Sequence, residues 1–367
     1  MLSYVVRRLL LIPLTLLGII AVNFLFVQLA PGGPIEQIMA RLEGRTTEAT
    51  ARISGTGAAE TARPAPGEGS SAASKYRGAQ GLDPEFIANL EKQMGFDKPP
   101  LERFWLMVKS YARFDLGKSY FRDASVVDLI LEKLPVSASL GIWSTLIIYL
   151  ISIPLGVRKA VRDGSRFDVA TSWAIVVGNA VPGFLFAIML IIVFAGGRYL
   201  HWFPLRGLTS DNWEALSWPA RILDYAWHMA LPVTALVIGG FASLTMLTKN
   251  AFLEEINKQY VLTARSKGLS EHRVLYGHVF RNAMLVVIAG FPAALIGMLF
   301  TGSVLIEVIF SLDGIGLLGF EAAMNRDYPV MFGTLYAFSL LGLILGLISD
   351  LTYHFVDPRI DFAAREV

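Results

Sequence analysis

Cysteine is absent from the chain, which excludes disulfides, thiolate nucleophiles and cysteine-ligated metals. Charge is scarce: Asp, Glu, Lys and Arg make up 17% of the 367 residues, against about a quarter in a soluble globular protein. The formal net charge of +2 is too small to point to nucleic acid. There is no G-x-x-x-x-G-K-[ST] loop, so the chain is not expected to bind ATP itself. Neither H-E-x-x-H nor G-x-S-x-G occurs, so no catalytic residues are assigned and a zinc or serine membrane protease is disfavoured. His272 and His278 lie six apart in a basic stretch rather than at i, i+4, which argues against a metal site. Ionisable residues are almost missing from the long apolar runs, unlike in ion-coupled carriers. Glu307 and Asp350 fall at the ends of such runs and are expected at the membrane interface.

What the chain has in abundance is apolar sequence. Hydrophobic residues make up 54% and the mean hydropathy is +0.52. Leu9 to Ala30 is long enough to cross a hydrocarbon core of about 30 Å. It ends in QLAPGGP, a Pro/Gly stop rather than a signal-peptidase site, and so reads as an uncleaved first span. Further spans are expected at Val136–Val157, about Ser172–Ala195 with a bend at Pro182-Gly183, Met229–Thr248, Ala283–Ile306 and Val330–Phe355. Six spans make an all-α integral membrane protein with both termini on one side. Arg7 and Arg8 place that side in the cytoplasm. The short loop 158–171, with Arg158, Lys159, Arg162 and Arg166, and the loop 249–282 are both basic, as cytoplasmic loops are. The opposite loop, 307–329, has only Arg326 as a basic residue. Tyr and Trp residues at 199, 202, 213, 218, 225 and 227 suit the other interface. Gly342 and Gly346 form a G-x-x-x-G pattern that predicts close helix packing.

These boundaries divide the chain into four parts. Residues 1–30 are the cytoplasmic N-terminus and first helix, and 31–135 a large external loop. Residues 136–356 form a five-helix core and 357–367 a cytoplasmic tail. Within the external loop, 45–81 is rich in Ala, Gly, Ser, Thr and Pro and lacks an apolar face, so it reads as a flexible insert. Amphipathic helices are expected after it: one with Phe86, Ile87, Leu90 and Met94 on one face and Gly95 as its stop, one around Phe104, Trp105, Met107 and Val108, and one around Val126, Val127, Ile130, Leu131 and Leu134.

The most informative polar stretch is YVLTARSKGLSEHRVLYGHVFRNA, Tyr260 to Ala283. Val261, Ala264, Leu269, Val274, Leu275 and Val279 recur near helical spacing. Gly268 interrupts the pattern, where a helix interior would lose roughly 1 kcal/mol against Ala, and Ser270 stands where an N-cap belongs. The spacing predicts a helix, a glycine turn and a second short helix, a shape suited to a groove on another protein. An ordinary basic loop is the alternative.

TARSKGLS followed by HVFRNA closely resembles the cytoplasmic loop of ABC-importer permeases of the dipeptide/oligopeptide group. LAPG at the end of the first span, GFDKPPLERFW, DLGKSY, LILEKLP, DGIGLLG with NRDYPV, and the closing DPRID resemble the same family in order and spacing. Leu262, Thr263 and Ala264 occupy the first three places of the family's Glu-Ala-Ala-x-x-x-Gly motif and Gly268 its glycine; the Glu is absent here. In that family the loop holds the coupling helix, which sits in a cleft on the ATP-binding subunit. The resemblance thus implies an ATPase-coupling role for Leu262, Thr263, Ala264, Arg265, Lys267, Gly268, Leu269, Ser270, Glu271 and Arg273. It also implies a type I importer permease fold, a homologous second permease, two ATP-binding subunits carrying ATP and Mg, a periplasmic peptide-binding protein and a bacterial inner-membrane location. The chain itself would hold no cofactor, and no residue is assigned to substrate. The enlarged first loop resembles the branch linked to microcin C-type peptides and longer oligopeptides. A self-sufficient secondary carrier would show intramembrane charges or inverted repeats; a membrane enzyme or a structural scaffold would lack the ATPase partner.

The topology is testable because the chain has no native cysteine. Cys introduced at Ser70 or Ser210 is expected to react with an impermeant thiol reagent in intact cells, and Cys at Ser165 or Ser266 is not. Reversed labelling would contradict the six-span order.

Overall fold

A computed structural model of the protein describes residues 2–29, 97–196, 199–301 and 304–356. The insert 45–81, the amphipathic segment at 84–95 and the tail 357–367 lie outside these residues. Within hydrocarbon a helix satisfies its own backbone hydrogen bonds, and the described residues form helices. No β-strand occurs among them, only an isolated bridge between Lys118 and Ser125.

The first helix, α1, runs Leu2–Leu29, and α2 runs Pro100–Ala112. α2 begins with Pro at its first position, where the missing N–H costs nothing. Next comes α3, Val126–Val161, 36 residues long. The expected amphipathic segment at 126–134 and the second span are therefore one helix of about 54 Å at 1.5 Å per residue. Ser125 starts it by accepting from Asp128 N at 3.1 Å. α4 is Arg166–Ala180 and α5 Gly183–Phe194. They meet at 90°, at the expected Pro-Gly bend. Val181 is extended (φ −86°, ψ 120°) because the following proline disfavours the α region for it.

α6, Trp218–Ile256, has 39 residues. It absorbs the end of the loop expected at 196–228 and the start of the one expected at 249–282. Then follow α7, Gln259–Ser266, α8, Glu271–Val274, and a π turn, Leu275–Val279, leading into α9, Phe280–Thr301. The last elements are α10, Val304–Ile309, α11, Ile315–Asn325, and α12, Tyr328–Val356. Among the described residues, five helices are long and apolar enough to cross a membrane, and the bent α4–α5 pair makes a sixth if it is one span.

The chain falls into two compact units. One comprises residues 1–8, 135–316 and 341–367. Here α6 packs against α4, α5 and α9, around a core that includes Leu140, Ile148, Phe252 and Val287. α3 approaches α6 tightly at Gly156, where a Cβ would lie 2.6 Å from Thr248 Cβ and 2.8 Å from the Thr245 carbonyl. One turn earlier, Ser152 donates to the Phe241 carbonyl at 3.0 Å. Thr245 and Thr248 return their hydroxyls to the carbonyls four residues back, at 2.7 and 2.8 Å, which keeps them satisfied in an apolar setting. Within this chain a Cβ at Gly342 or Gly346 would meet nothing within 4 Å, so the expected close packing is not to a neighbour in this chain.

One ionic expectation changes. Lys159 is not in a solvated loop but fully buried inside α3, with its ammonium 2.9 Å from Asp168 Oδ1. The helix runs a turn further than hydropathy suggests because this partner is within reach. Glu307, expected at the end of a span, is fully buried against protein, for reasons given below. Asp350 accepts from Tyr4 and pairs with Arg8, both at 2.9 Å.

The other unit comprises residues 9–134 and 317–340. Phe104 of α2 meets Phe24 edge-on at 5.5 Å, and Tyr111 meets Tyr336 at 5.1 Å. The DLGKSY and RDYPV motifs join here. Asp327 accepts from the Ser119 hydroxyl and, at 3.2 Å, from Tyr120 N. Burial pushes the Asp327 carboxyl above its ordinary range, and these donors partly offset the shift. Gly117 takes φ +83° at the turn that makes this contact.

Of the four positions suited to thiol labelling, Ser266 is exposed. Ser165 caps α4 by accepting from Asp168 N, Ser210 donates to Asp224, and Ser70 lies outside the described residues.

Gly156→Val is expected to force α3 off α6. Overpacking of this kind costs roughly 1–3 kcal/mol, so the thermal midpoint of the purified protein in detergent should fall by several degrees. Gly178→Val, where a Cβ would meet nothing within 4 Å, is the control and should leave it unchanged.

Candidate functional site

The basic stretch folds as a helix, a glycine turn and a short second helix. It is reached through Glu255, near the end of α6. Glu255 pairs with Lys258 and accepts from the Tyr260 hydroxyl at 2.6 Å, and Asn282 of the HVFRNA motif hydrogen-bonds the same carboxylate. One side chain thus ties the entry of α7 to the start of α9. Burial first, then the bond to Glu255, pushes the Tyr260 hydroxyl above its usual range, so it stays a donor at any physiological pH.

α7 buries Val261 and Ala264 at 0% and 7% exposure. After it, Lys267 N and Gly268 N close the last turn on the carbonyls of Thr263 and Arg265. Gly268 has φ +78° with open space where a Cβ would be, so its requirement is conformational rather than steric. α8 then buries Val274, and Val279 follows in the π turn, each at 1%. Ser270 holds the N-cap position in extended conformation, but its side chain makes no capping bond. The four buried residues are those of the expected apolar face, with Leu269 and Leu275 half-buried.

The opposite face is free of the core. Leu262, Thr263, Arg265, Ser266, Lys267, Gly268, Ser270, Glu271 and Arg273 are exposed. Leu262, at 50%, is the large apolar side chain among them. Arg265 grips Glu271 with two bonds, Nε to Oε1 at 2.9 Å and Nη2 to Oε2 at 3.0 Å. An exposed ion pair is worth about 0–1 kcal/mol, so its effect is geometric: the fork spans Gly268 and sets the angle between α7 and α8. The site residues divide accordingly. Ala264 anchors the loop to the core and Gly268 turns it. Arg265 and Glu271 brace the turn, and Leu262, Thr263, Lys267, Ser270 and Arg273 face outward. Beside them, a cleft of about 240 Å³ is lined by Ala160, Val161, Ile256, His272 and Tyr276 as well as the Arg265–Glu271 pair.

A second built feature lies in DGIGLLG. Glu307 on α10 accepts from the Ser137 hydroxyl at 3.0 Å, and the Ser137 Oγ in turn accepts from Ile315 N at 2.9 Å. A Cβ on Gly314 would sit 2.5 Å from Glu307 Oε1 and 2.7 Å from Oε2, and one on Gly316 3.0 Å from Oε2. Gly314 and Gly316, the first two glycines of the motif, therefore let backbone close over a buried carboxylate. The sequence holds both halves of this clasp, with the glycines seven and nine residues after Glu307, but only the fold shows that one explains the other. A separate apolar cavity of about 380 Å³ lies between Tyr149, Ile153, Phe291, Pro292, Leu345 and Ile348.

Residues 152–362, which contain the basic loop and the DGIGLLG segment, match the family described as the binding-protein-dependent transport system inner membrane component. The chain belongs to that family. The permease is 60% identical over 365 residues to the peptidoglycan transport system permease protein YejB of Agrobacterium fabrum, with 100% of both chains covered. It is 59% identical over 363 residues to the inner membrane ABC transporter permease protein YejB of Escherichia coli O157:H7, covering 99% of this chain and 100% of that one. The oligopeptide transport system permease protein AppB of Bacillus subtilis is 32% identical over 363 residues, with 99% and 100% covered. The permease is thus a transporter subunit of the inner membrane and not an enzyme.

Gly314→Ala is expected to lower the thermal midpoint of the permease, since a methyl would strike the Glu307 carboxylate. In a Glu307→Ala background the same substitution should cost much less, a coupling of about 0.5–3 kcal/mol for groups in contact. Equal losses in both backgrounds would dismiss the clasp.

Proposed function

We propose that this chain is one of two homologous permease subunits of an ATP-driven peptide importer, and that 249–282 is its coupling loop. The carrying observation is the loop's division of labour: a buried apolar face, a glycine turn braced by Arg265–Glu271, and an outward face of Leu262, Thr263, Lys267, Ser270 and Arg273. That shape suits insertion into a cleft on an ATP-binding subunit. Two such subunits bind ATP and Mg, and a periplasmic protein delivers peptide. When ATP closes the ATPase pair, the coupling loops are drawn together and the spans turn from inward-facing to outward-facing; hydrolysis returns them and releases peptide into the cytoplasm.

In this reading the chain has six spans with α4–α5 as the bent third, a large external loop at 31–135 bearing the insert, and both termini in the cytoplasm. The contact of Tyr4 and Arg8 with Asp350 supports placing the start of α1 and the inner end of α12 on one side. Peptide is the proposed cargo, with oligopeptides and microcin C-type peptides as its forms. The names of the relatives, one for oligopeptide and one for peptidoglycan transport, support a peptide-bearing substrate.

The test uses the permease reconstituted in liposomes with its partner permease, both ATPase subunits and the binding protein. Gly268→Val forces a β-branched residue to φ > 0, a genuine outlier, and should misplace Leu269 to Leu275. The variant is expected to insert and pair with its partner permease but to lose ATPase association or stimulated hydrolysis. Wild-type hydrolysis and peptide uptake in the variant would mean this loop is not the coupling element.

A further inference from the structure

Buried charges of the first unit lie on α3, α4 and the part of α6 that leads to α7. Asp168, in the first turn of α4, is 5% exposed. Its Oδ1 lies 2.9 Å from Lys159 Nζ of α3, and its Oδ2 lies 2.8 Å from Lys249 Nζ of α6. Gly164 N donates to Oδ2 at 3.2 Å. Lys159 is fully buried and gives its three N–H donors to α4, at 2.8 Å each to the Asp168 carbonyl, Thr171 Oγ1 and Ser172 Oγ, so its contact with Oδ1 is ionic. Lys249 also reaches Asp163 at 2.8 Å, in the turn between α3 and α4.

One carboxylate is therefore shared by three helices, and the cluster balances two cations with two anions. It continues a seam already described. Along α3, Ser152, Gly156 and Lys159 fall at i, i+4 and i+7, on one helical face. The first bonds α6, the second lets α6 approach, and the third is tied to α6 through Asp168. Beyond Lys249, α6 runs two further turns to Ile256, and α7 begins at Gln259. Nothing softer than a helix separates the cluster from the loop until Asn257.

We propose that Asp168 is a positioning residue for transport: it pins the cytoplasmic ends of α3, α4 and α6 into one body, so that a displacement applied at the coupling loop moves all three. This rests on the coupling role proposed above. A buried ion cluster suits the task because its energy falls off sharply with geometry. Removing one partner leaves an uncompensated charge where solvation is poor, so partly separated arrangements are disfavoured and the helices move together or not at all.

The test places spin labels on the cysteine-free chain at Arg162, at the α3–α4 turn, and Glu254, on the end of α6, both exposed. Distances are measured in the full liposome complex without nucleotide and with ATP, alongside uptake of radiolabelled tetra-alanine per ATP hydrolysed. In wild type the label distance should be the same in both states. Asp168→Asn should broaden it and lower uptake per ATP several-fold in complexes that still assemble. Lys159→Met with Asp168→Asn removes the stranded cation while leaving Lys249 with Asp163; it should restore complex yield but not uptake per ATP. A wild-type distance that changes with ATP would overturn the proposal while leaving the coupling reading intact. So would wild-type uptake per ATP in assembled Asp168→Asn, or full recovery of uptake in the double variant. Failure of wild type to transport any peptide tested would instead count against the proposed function.

Discussion

A backbone carbonyl in hydrocarbon has no water to turn to, and the fold follows from that constraint. Each unpartnered group would cost several kcal/mol, so the chain stays helical wherever it is apolar and breaks only where side chains or geometry cover the break. The 90° corner between α4 and α5 is such a place: Pro182 has no N–H to lose, and its carbonyl accepts from Leu185 N and Phe186 N at 2.9 and 3.1 Å. The same constraint explains why helices extend past their apolar stretches. Continuing α3 to Val161 and α6 to Ile256 costs nothing in backbone hydrogen bonds, and it carries Lys159 and Lys249 to a shared anion.

Charge is rare in this protein and is placed accordingly. Asp168 stands in the first turn of α4, Glu307 on the short α10 and Asp350 near the end of α12, and each joins segments far apart in sequence. Asp168 gathers cations, whereas Glu307 gathers a hydroxyl and close-packed glycine backbone. Asp350 joins a tyrosine and an arginine from the opposite end of the chain. Removing a helix end from water leaves carbonyl or N–H groups exposed to their neighbours, so the ends are where an ionised side chain finds partners.

Much of this was legible in the sequence. Apolar runs gave the spans because lipid imposes a length, and Pro182-Gly183 gave the corner because proline restricts the residue before it. The face of Val261, Ala264, Val274 and Val279 was legible as period, and Gly268 as its interruption. Composition-based boundaries failed where a tertiary partner overrode local polarity. Lys159 follows Arg158 in a basic run and reads as solvated until Asp168 is brought beside it. The burial of Glu307 has no local signal either: it depends on Ser137, 170 residues earlier. Gly342 and Gly346 have the spacing of a packing motif but face open space within this chain, whereas a close approach falls at Gly156, where Ser152 and Gly156 make a small-xxx-small pair. Spacing on one helix does not say which neighbour arrives.

The contact between Tyr4 and Asp350 spans 346 residues, and it gives the protein an order of completion. A ribosome adding about 5–20 residues per second takes roughly 17–70 s to travel from one to the other. For that interval Arg8 and Tyr4 have been made but their carboxylate has not. The first helix must enter the bilayer on its own apolar length and wait. The compact unit to which its first turn belongs closes only when the last helix arrives. A product that stops short of the last helix therefore lacks the carboxylate that Tyr4 and Arg8 share.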